Sequence, residues 1–232
     1  MTTTQRVAAL GLVWLLSACS KQASAPPASV KADTTATATA TGDAATKPAA
    51  APPKPAGAVA LAKAEIGKPA PAFSLTALDG KTVTLAQHKG KIVVLEWFNP
   101  DCPFVRQSHT EGSLKGLGDS YGKTDVVWLA INSNAAGKQG ASREANEAGV
   151  KKYGISYPVL IDADGRVGRA YGATRTPQMY VIDKAGLLVY AGGLDNSSGG
   201  DVDDVPKLVN FVKSAVADTT AGRAVASPTS EP

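Results

Sequence analysis

The run from Lys91 to Phe98 limits what this chain can fold into more than any other segment. Lys-Ile-Val-Val-Leu-Glu-Trp-Phe is almost continuously apolar and rich in β-branched and aromatic residues. Strict alternation would mark a strand with one solvated face, whereas a continuous run marks a strand buried on both faces. Asn99-Pro100-Asp101 breaks the run, and Cys102-Pro103 follows. Proline suits a first helical position, where the N–H it lacks would be unpaired anyway. A helix is therefore expected to start at Cys102 or Pro103.

The remaining segments fit around this centre. Ala72–Leu75 and Thr82–Leu85 read as short strands about the turn Asp79-Gly80. Asp125–Ile131 reads as a second buried strand and Val159–Ile161 as a short one, closed by the turn Asp162–Gly165. Ser142–Tyr153 reads as a helix capped by Ser142 and stopped by Gly154. After Cys102 the apolar positions Val105, Leu114 and Leu117 continue a helical pattern that Gly112, Gly116 and Gly118 weaken. Met179–Ile182 and Leu187–Tyr190 form a hairpin about Asp183–Gly186. A last helix is expected from about Asp204 to Ala217, with Pro206 in its first turn and Leu208, Val209, Val212 and Val216 as its apolar stripe. The order predicts one α/β domain over residues 65–220, a central mixed β-sheet flanked by helices on both faces. Residues 221–232 are polar and are expected to be a disordered tail.

The amino-terminal quarter reads differently. Arg6 precedes an apolar run, Val7–Leu16, which is too short for a membrane span of about 20 residues and suits the core of a signal peptide over residues 1–18. The run ends Leu16-Ser17-Ala18-Cys19, which resembles the bacterial lipobox and implies lipidation of Cys19. Residues 19–64 are dominated by Ala, Thr, Pro, Lys and Ser. They bury too little apolar surface to offset the entropy of ordering and are expected to be a disordered tether. Ser20, where an Asp would favour inner-membrane retention, points to the outer membrane, with the domain facing the periplasm of a bacterial envelope.

Charge excludes one partner class. The net charge is +4 and the basic residues are dispersed, so nucleic-acid binding, which needs a concentrated basic face, is not expected. The chain has two cysteines, Cys19 and Cys102. Their contexts differ too much for an internal structural disulfide. Two isolated histidines and one domain cysteine make no metal constellation, and neither a metal nor a cofactor is expected.

A buried strand leading to a cysteine at a helix start, with Thr176-Pro177 entering a later hairpin, resembles the thioredoxin-like pattern. The segment Glu96–Val105 is similar to the redoxin group, also described as the alkyl hydroperoxide reductase and thiol-specific antioxidant family. Leu160–Gly165, Arg169–Gly172, Thr174–Pro177 and Tyr180–Asp183 add to the likeness, which covers about residues 65–217. The resemblance implies a thioredoxin-like fold, a cis Thr176–Pro177 bond beside Cys102, and a groove in which Pro177 shapes the wall and the Thr176 backbone pairs with substrate. The chain departs from thioredoxin where Val105 replaces the second cysteine of Cys-x-x-Cys. It departs from peroxiredoxins where Asn99 replaces the Thr or Ser that helps bind peroxide.

Cys102 is the candidate nucleophile, because the thiolate is the reactive species and a helix amino terminus favours it. Glu96 occupies the place of a buried thioredoxin carboxylate that would move a proton during exchange. Arg106, one turn beyond Cys102, and Arg175, beside Thr176-Pro177, are candidates to stabilise a thiolate or an anionic substrate. Pro103 and Asn99 flank Cys102 as further contacts. His109 lies two turns on, roughly 10 Å along the axis, and is set aside as a base; His88 falls in a loop.

These residues predict a thiol-dependent oxidoreductase or peroxidase that uses Cys102 alone. Its substrate would be a peroxide or a protein or small-molecule disulfide, and an external thiol reductant would complete the cycle. The alternative is a thioredoxin-fold binding or scaffold lipoprotein without catalysis. A copper-handling relative would need two site cysteines and a nearby histidine, which this chain lacks.

Overall fold

The computed structural model describes residues 61–203 and 205–232. The expected signal peptide, Cys19, Ser20 and nearly all of the expected tether lie outside the described residues. Among those described, seven strands form one sheet: β1 Ser74–Ala77, β2 Thr82–Thr84, β3 Ile92–Trp97, β4 Val126–Asn132, β5 Val159–Ile161, β6 Gln178–Ile182 and β7 Leu188–Gly192. Their spatial order is β2-β1-β5-β4-β3-β6-β7. β3 lies inside the sheet, parallel to β4 on one side and antiparallel to β6 on the other. All of its residues are buried, as a continuous apolar run requires.

Side-chain alternation along β3 divides the core. Val93, Leu95 and Trp97 point to one face with Leu129, Ile131, Tyr180 and Ile182, where Val167 and Tyr171 of helix α4 (Arg166–Tyr171) cover them. Ile92 and Val94 point to the other face with Trp128, Met179 and Val181, beneath Val212, Ala215 and Val216 of α5 (Phe211–Thr220). Phe98, Val105 of α1 (Pro103–Thr110) and Val150 of α3 (Arg143–Tyr153) continue that second layer. α2 is a single turn, Leu117–Ser120. No described helix is long and apolar enough to cross a membrane.

α3 starts and stops where its sequence dictates. Ser142 Oγ accepts the Ala145 N–H at 3.1 Å, and Gly154 closes the helix in the left-handed region at φ 66°. The buried Asp162 explains part of the Leu160–Gly165 motif. Its carboxylate accepts the N–H groups of Val167 at 3.3 Å and Gly168 at 2.9 Å and the hydroxyl of Ser133 at 2.7 Å. It therefore anchors the start of α4 to the sheet.

Three expectations shift. The first strand begins at Ser74 rather than Ala72, and Leu85 leaves β2 for a short 3-10 turn, because Thr84 and Gln87 cap each other's backbone. The last helix starts at Phe211, not Asp204. Asn210 supplies its cap by accepting the Lys213 N–H at 2.8 Å, and the chain just before it is tied to Asn196 through a bond from Val209 N at 2.7 Å. The third correction concerns residues 221–232. They do not form the loose tail expected, because Thr229 bridges Ala191 of β7 and Ala191 N donates to Pro228 O at 3.0 Å.

Candidate active site

The end of β3 delivers Cys102 through a braced loop. Asp101 N donates to Asn99 Oδ1 at 3.0 Å and Cys102 N to Asn99 O at 3.1 Å. Tyr153 of α3 donates its hydroxyl to Pro100 O at 2.7 Å. Gly149, one turn earlier on α3, admits Pro100 so closely that a Cβ there would stand 2.5 Å from the proline ring. These contacts fix the direction in which α1 departs.

Cys102 is the amino-terminal cap residue of α1, with Pro103 at the first helical position. Its side chain makes no capping bond, so it leaves the first-turn amides of α1 unsatisfied. The half-buried thiol instead donates to Thr176 O at 3.3 Å. That carbonyl belongs to the peptide that precedes Pro177, and the Thr176–Pro177 bond is cis. Gln178, which opens β6, accepts the N–H groups of Thr174 at 2.9 Å and Arg175 at 3.3 Å and so shapes the approach to this bond. Residues 74 positions apart thus meet, because β3 and β6 pair with Trp97 opposite Gln178.

A cavity of about 780 Å³ opens over Cys102, Arg175, Thr176 and Pro177. The other expected site residues do not line it. Asn99 serves the loop backbone through its carbonyl and its side chain. Pro103 is exposed at the helix start, and Arg106 is exposed on α1. Arg106 acts on Tyr153, where it partly offsets the larger effect of burial, which raises the phenol pKa.

Glu96 is fully buried behind α1. It shares the face of β3 that carries Val94, and donors from α1, from β4 and from the loop before β5 converge on it. His109 Nε2 lies 2.7 Å from Oε1, while Trp128 Nε1 and the Tyr157 hydroxyl each donate to Oε2 at 2.9 Å. Burial and the adjoining Glu96 carboxylate hold the Tyr157 phenol far above its usual pKa. His109, set aside as a base for Cys102, is a partner of Glu96 instead. It stacks on Tyr153 at a centroid distance of 5.3 Å. The carboxylate thereby ties α1 to β4 and to Tyr157.

The sequence reading missed several cavity residues, among them Phe104, Ser108, Leu194, Phe211, Ser230 and Pro232. Phe104 carried the one available signal, a large apolar side chain directly after Pro103, and it is 54% exposed. Ser108 lies on α1 and Phe211 opens α5, Leu194 comes from a loop, and Ser230 and Pro232 come from the segment expected to be loose.

The family model for Redoxin matches residues 65–210. The chain belongs to the Redoxin family. This redoxin is 29% identical over 134 residues to the thiol-disulfide oxidoreductase ResA of Bacillus thuringiensis subsp. konkukian, a match covering 55% of this chain and 69% of that protein. It is 30% identical over 162 residues to Peroxiredoxin-2 of Pongo abelii, covering 65% and 90%. Among solved structures, a hypothetical protein from Sinorhizobium meliloti superposes with a TM-score of 0.63 at 29% identity, covering 73% of this chain and 93% of that one. A protein from Geobacillus kaustophilus superposes with a TM-score of 0.62 at 31% identity, covering 72% and 88%. The expected thioredoxin-like fold, with its mixed sheet and helices on both faces, is the fold of this redoxin.

Proposed function

We propose that this redoxin is a thiol-disulfide oxidoreductase in which Cys102 is the reacting thiol and a second molecule supplies the resolving thiol. The observation that carries the reading is the place of the Cys102 sulfur, in a cavity between unsatisfied α1 amides and the Thr176–Pro177 peptide. As a thiol it donates to Thr176 O. As a thiolate it loses that donor and lies at the start of α1, where the first-turn amides have no capping partner. The thiolate attacks one sulfur of a substrate disulfide. The S–S bond breaks, the other sulfur leaves as a thiolate that takes up a proton, and Cys102 carries a mixed disulfide. An external thiolate then attacks the substrate-derived sulfur, forms a new disulfide with it and returns Cys102 to the thiolate. The domain has no second thiol to do this, since Val105 stands at the resolving position.

In this reading Arg175, Thr176 and Pro177 form the substrate wall. Glu96 holds α1 through His109, and Arg106, Asn99 and Pro103 shape the helix start. The ResA likeness supports disulfide exchange, and the peroxiredoxin likeness supports a second branch on the same sulfur. There the thiolate attacks a peroxide oxygen, the O–O bond breaks, and the leaving oxygen takes up a proton as water or an alcohol. The resulting sulfenic acid is reduced by two external thiols. Mass mapping after exposure of the reduced protein to a stoichiometric small-molecule disulfide, and separately to peroxide, tests both branches. A mixed-disulfide adduct on Cys102 with release of one equivalent of thiol is the expected result. A sulfenic acid without that adduct selects the peroxide branch, and no modification with either reagent removes the enzymatic reading in favour of a binding scaffold.

We further infer that residues 1–18 export the chain, that Cys19 carries lipid and that residues 19–64 tether the domain to the outer membrane on its periplasmic side. The lipobox-like Leu16–Cys19 behind an apolar run supports this. Cys19→Ser is expected to abolish incorporation of labelled palmitate and to move the protein from the membrane fraction. Retained label in that variant would end the inference.

A further inference from the structure

Residues 226–232 end on one side of the cavity that holds Cys102, where residues 230–232 line it. The segment leaves α5 through Asp218, whose carboxylate accepts the Ala226 N–H at 3.2 Å. It then runs along β7, the edge strand of the sheet. Ala191 N donates to Pro228 O at 3.0 Å and Gly193 N to Ser230 Oγ at 2.9 Å. The buried Tyr190 hydroxyl lies 2.6 Å from the same Ser230 oxygen. Arg175 Nη1 donates to Pro232 O at 3.0 Å. Ser230, Glu231 and Pro232 line the cavity together with Cys102, Thr176 and Pro177.

Two adjacent glycines show that this seat is built into the strand. A Cβ at Gly192 would fall 2.5 Å from Ser230 O, and one at Gly193 would overlap Glu231 O. The nearest atoms to both positions belong to this segment alone. Neither glycine has the left-handed backbone that otherwise calls for the residue. What the pair provides is room for residues 230–232.

The segment also occupies edge-strand groups with which an extended chain can pair. A polypeptide joins a sheet by pairing with the free N–H and C=O groups of an edge strand. On β7 and just beyond it, the Ala191 and Gly193 amides are already engaged. With the segment in place the cavity is about 780 Å³, a volume that suits a small molecule.

We infer that residues 226–232 are a strap that restricts Cys102 to compact substrates, low-molecular-weight disulfides or peroxides, and that an extended polypeptide reaches the thiol only when the strap leaves β7. This rests on the reading of Cys102 as the reacting thiol, but its test does not. Maleimides alkylate any accessible thiol. The rates of labelling at Cys102 by N-ethylmaleimide and by a maleimide carried on an extended peptide are compared in the full chain, with Cys102 followed by peptide mapping. Two variants displace the strap: Gly192→Ala combined with Gly193→Ala, and deletion of residues 226–232. The deletion leaves β7 unaltered, and Tyr190 keeps its bond to Gly193 O at 2.5 Å, so it decides the case if the glycine variant fails to fold. The peptide reagent is expected to gain about tenfold relative to N-ethylmaleimide, the factor that one net hydrogen bond's worth of displacement represents. An unchanged ratio in the folded deletion variant would overturn the strap. A raised ratio in a protein whose Cys102 forms no adduct with disulfide or peroxide would keep the strap and remove the oxidoreductase reading instead.

Discussion

Cys102→Ser protein is expected to lose turnover of small-molecule disulfides or peroxides by about a thousandfold or more, the scale seen when a nucleophile is removed from an otherwise intact site. A serine hydroxyl in the same place can still donate to Thr176 O. What it cannot do is ionise near neutral pH or form the sulfur–sulfur bond on which the cycle depends. The fold has little reason to respond. Cys102 Sγ makes one 3.3 Å bond and provides no cap to α1, so the thermal midpoint is expected to stay close to that of the parent. Steady-state turnover with an added thiol reductant, measured beside a melt, checks both statements. Full turnover in the variant would sink the assignment of Cys102, because the domain offers no other thiol to take its place.

Glu96→Ala is expected to destabilise the domain by about 4 kcal/mol, whereas Glu96→Gln costs about 1 kcal/mol or less. The alanine removes the only acceptor that joins three donors in a buried place. Trp128 Nε1, the Tyr157 hydroxyl and His109 Nε2 would each lose the partner now 2.7–2.9 Å away. Each orphaned buried donor carries a desolvation cost, and the lost side-chain volume adds a cavity term. Glutamine keeps the shape. Its carbonyl oxygen can accept from Trp128 and Tyr157, and its amide can donate to His109 Nε2 once the imidazole adopts its other tautomer. Denaturant midpoints at constant m-value measure the difference. Equal losses in the two variants would show that the charge of Glu96, rather than its acceptor geometry, holds this network together.

The parts of the site that lie within one element were legible in the sequence. The nearly continuous apolar run Lys91–Phe98 identified a strand buried on both faces, and Pro103 fixed the start of α1 within one residue. Ser142 and Gly154 marked both ends of α3. Thr176-Pro177 before a hairpin placed the second half of the site once the family likeness was recognised. Partnerships across elements left no such mark. Glu96 draws donors from α1, from β4 and from Tyr157, and nothing in their spacing announces that they converge. Spacing along one helix placed His109 far from Cys102, and that same spacing gave no hint of its turn toward β3. Pro206 suggested an early start for the last helix because proline suits a first turn. The competing signal was Asn210, whose cap begins α5 four residues later. The polar composition of residues 221–232 resembled a solvated end, yet their seat depends on missing side chains at Gly192 and Gly193, which no local pattern reveals.

The pairing of Trp97 with Gln178 has a consequence for how the protein comes into being. Strands β3 and β6 are neighbours in space, but the whole of α1 to α4 lies between them in the chain. Joining them closes a long loop, whose entropic cost comes before any contact rewards it. A nascent chain that has emerged only as far as α4 can carry Cys102, but it lacks the peptide against which the sulfur is positioned. The assembled thiol site therefore appears late in synthesis, after Gln178 has been added and the centre of the sheet has closed.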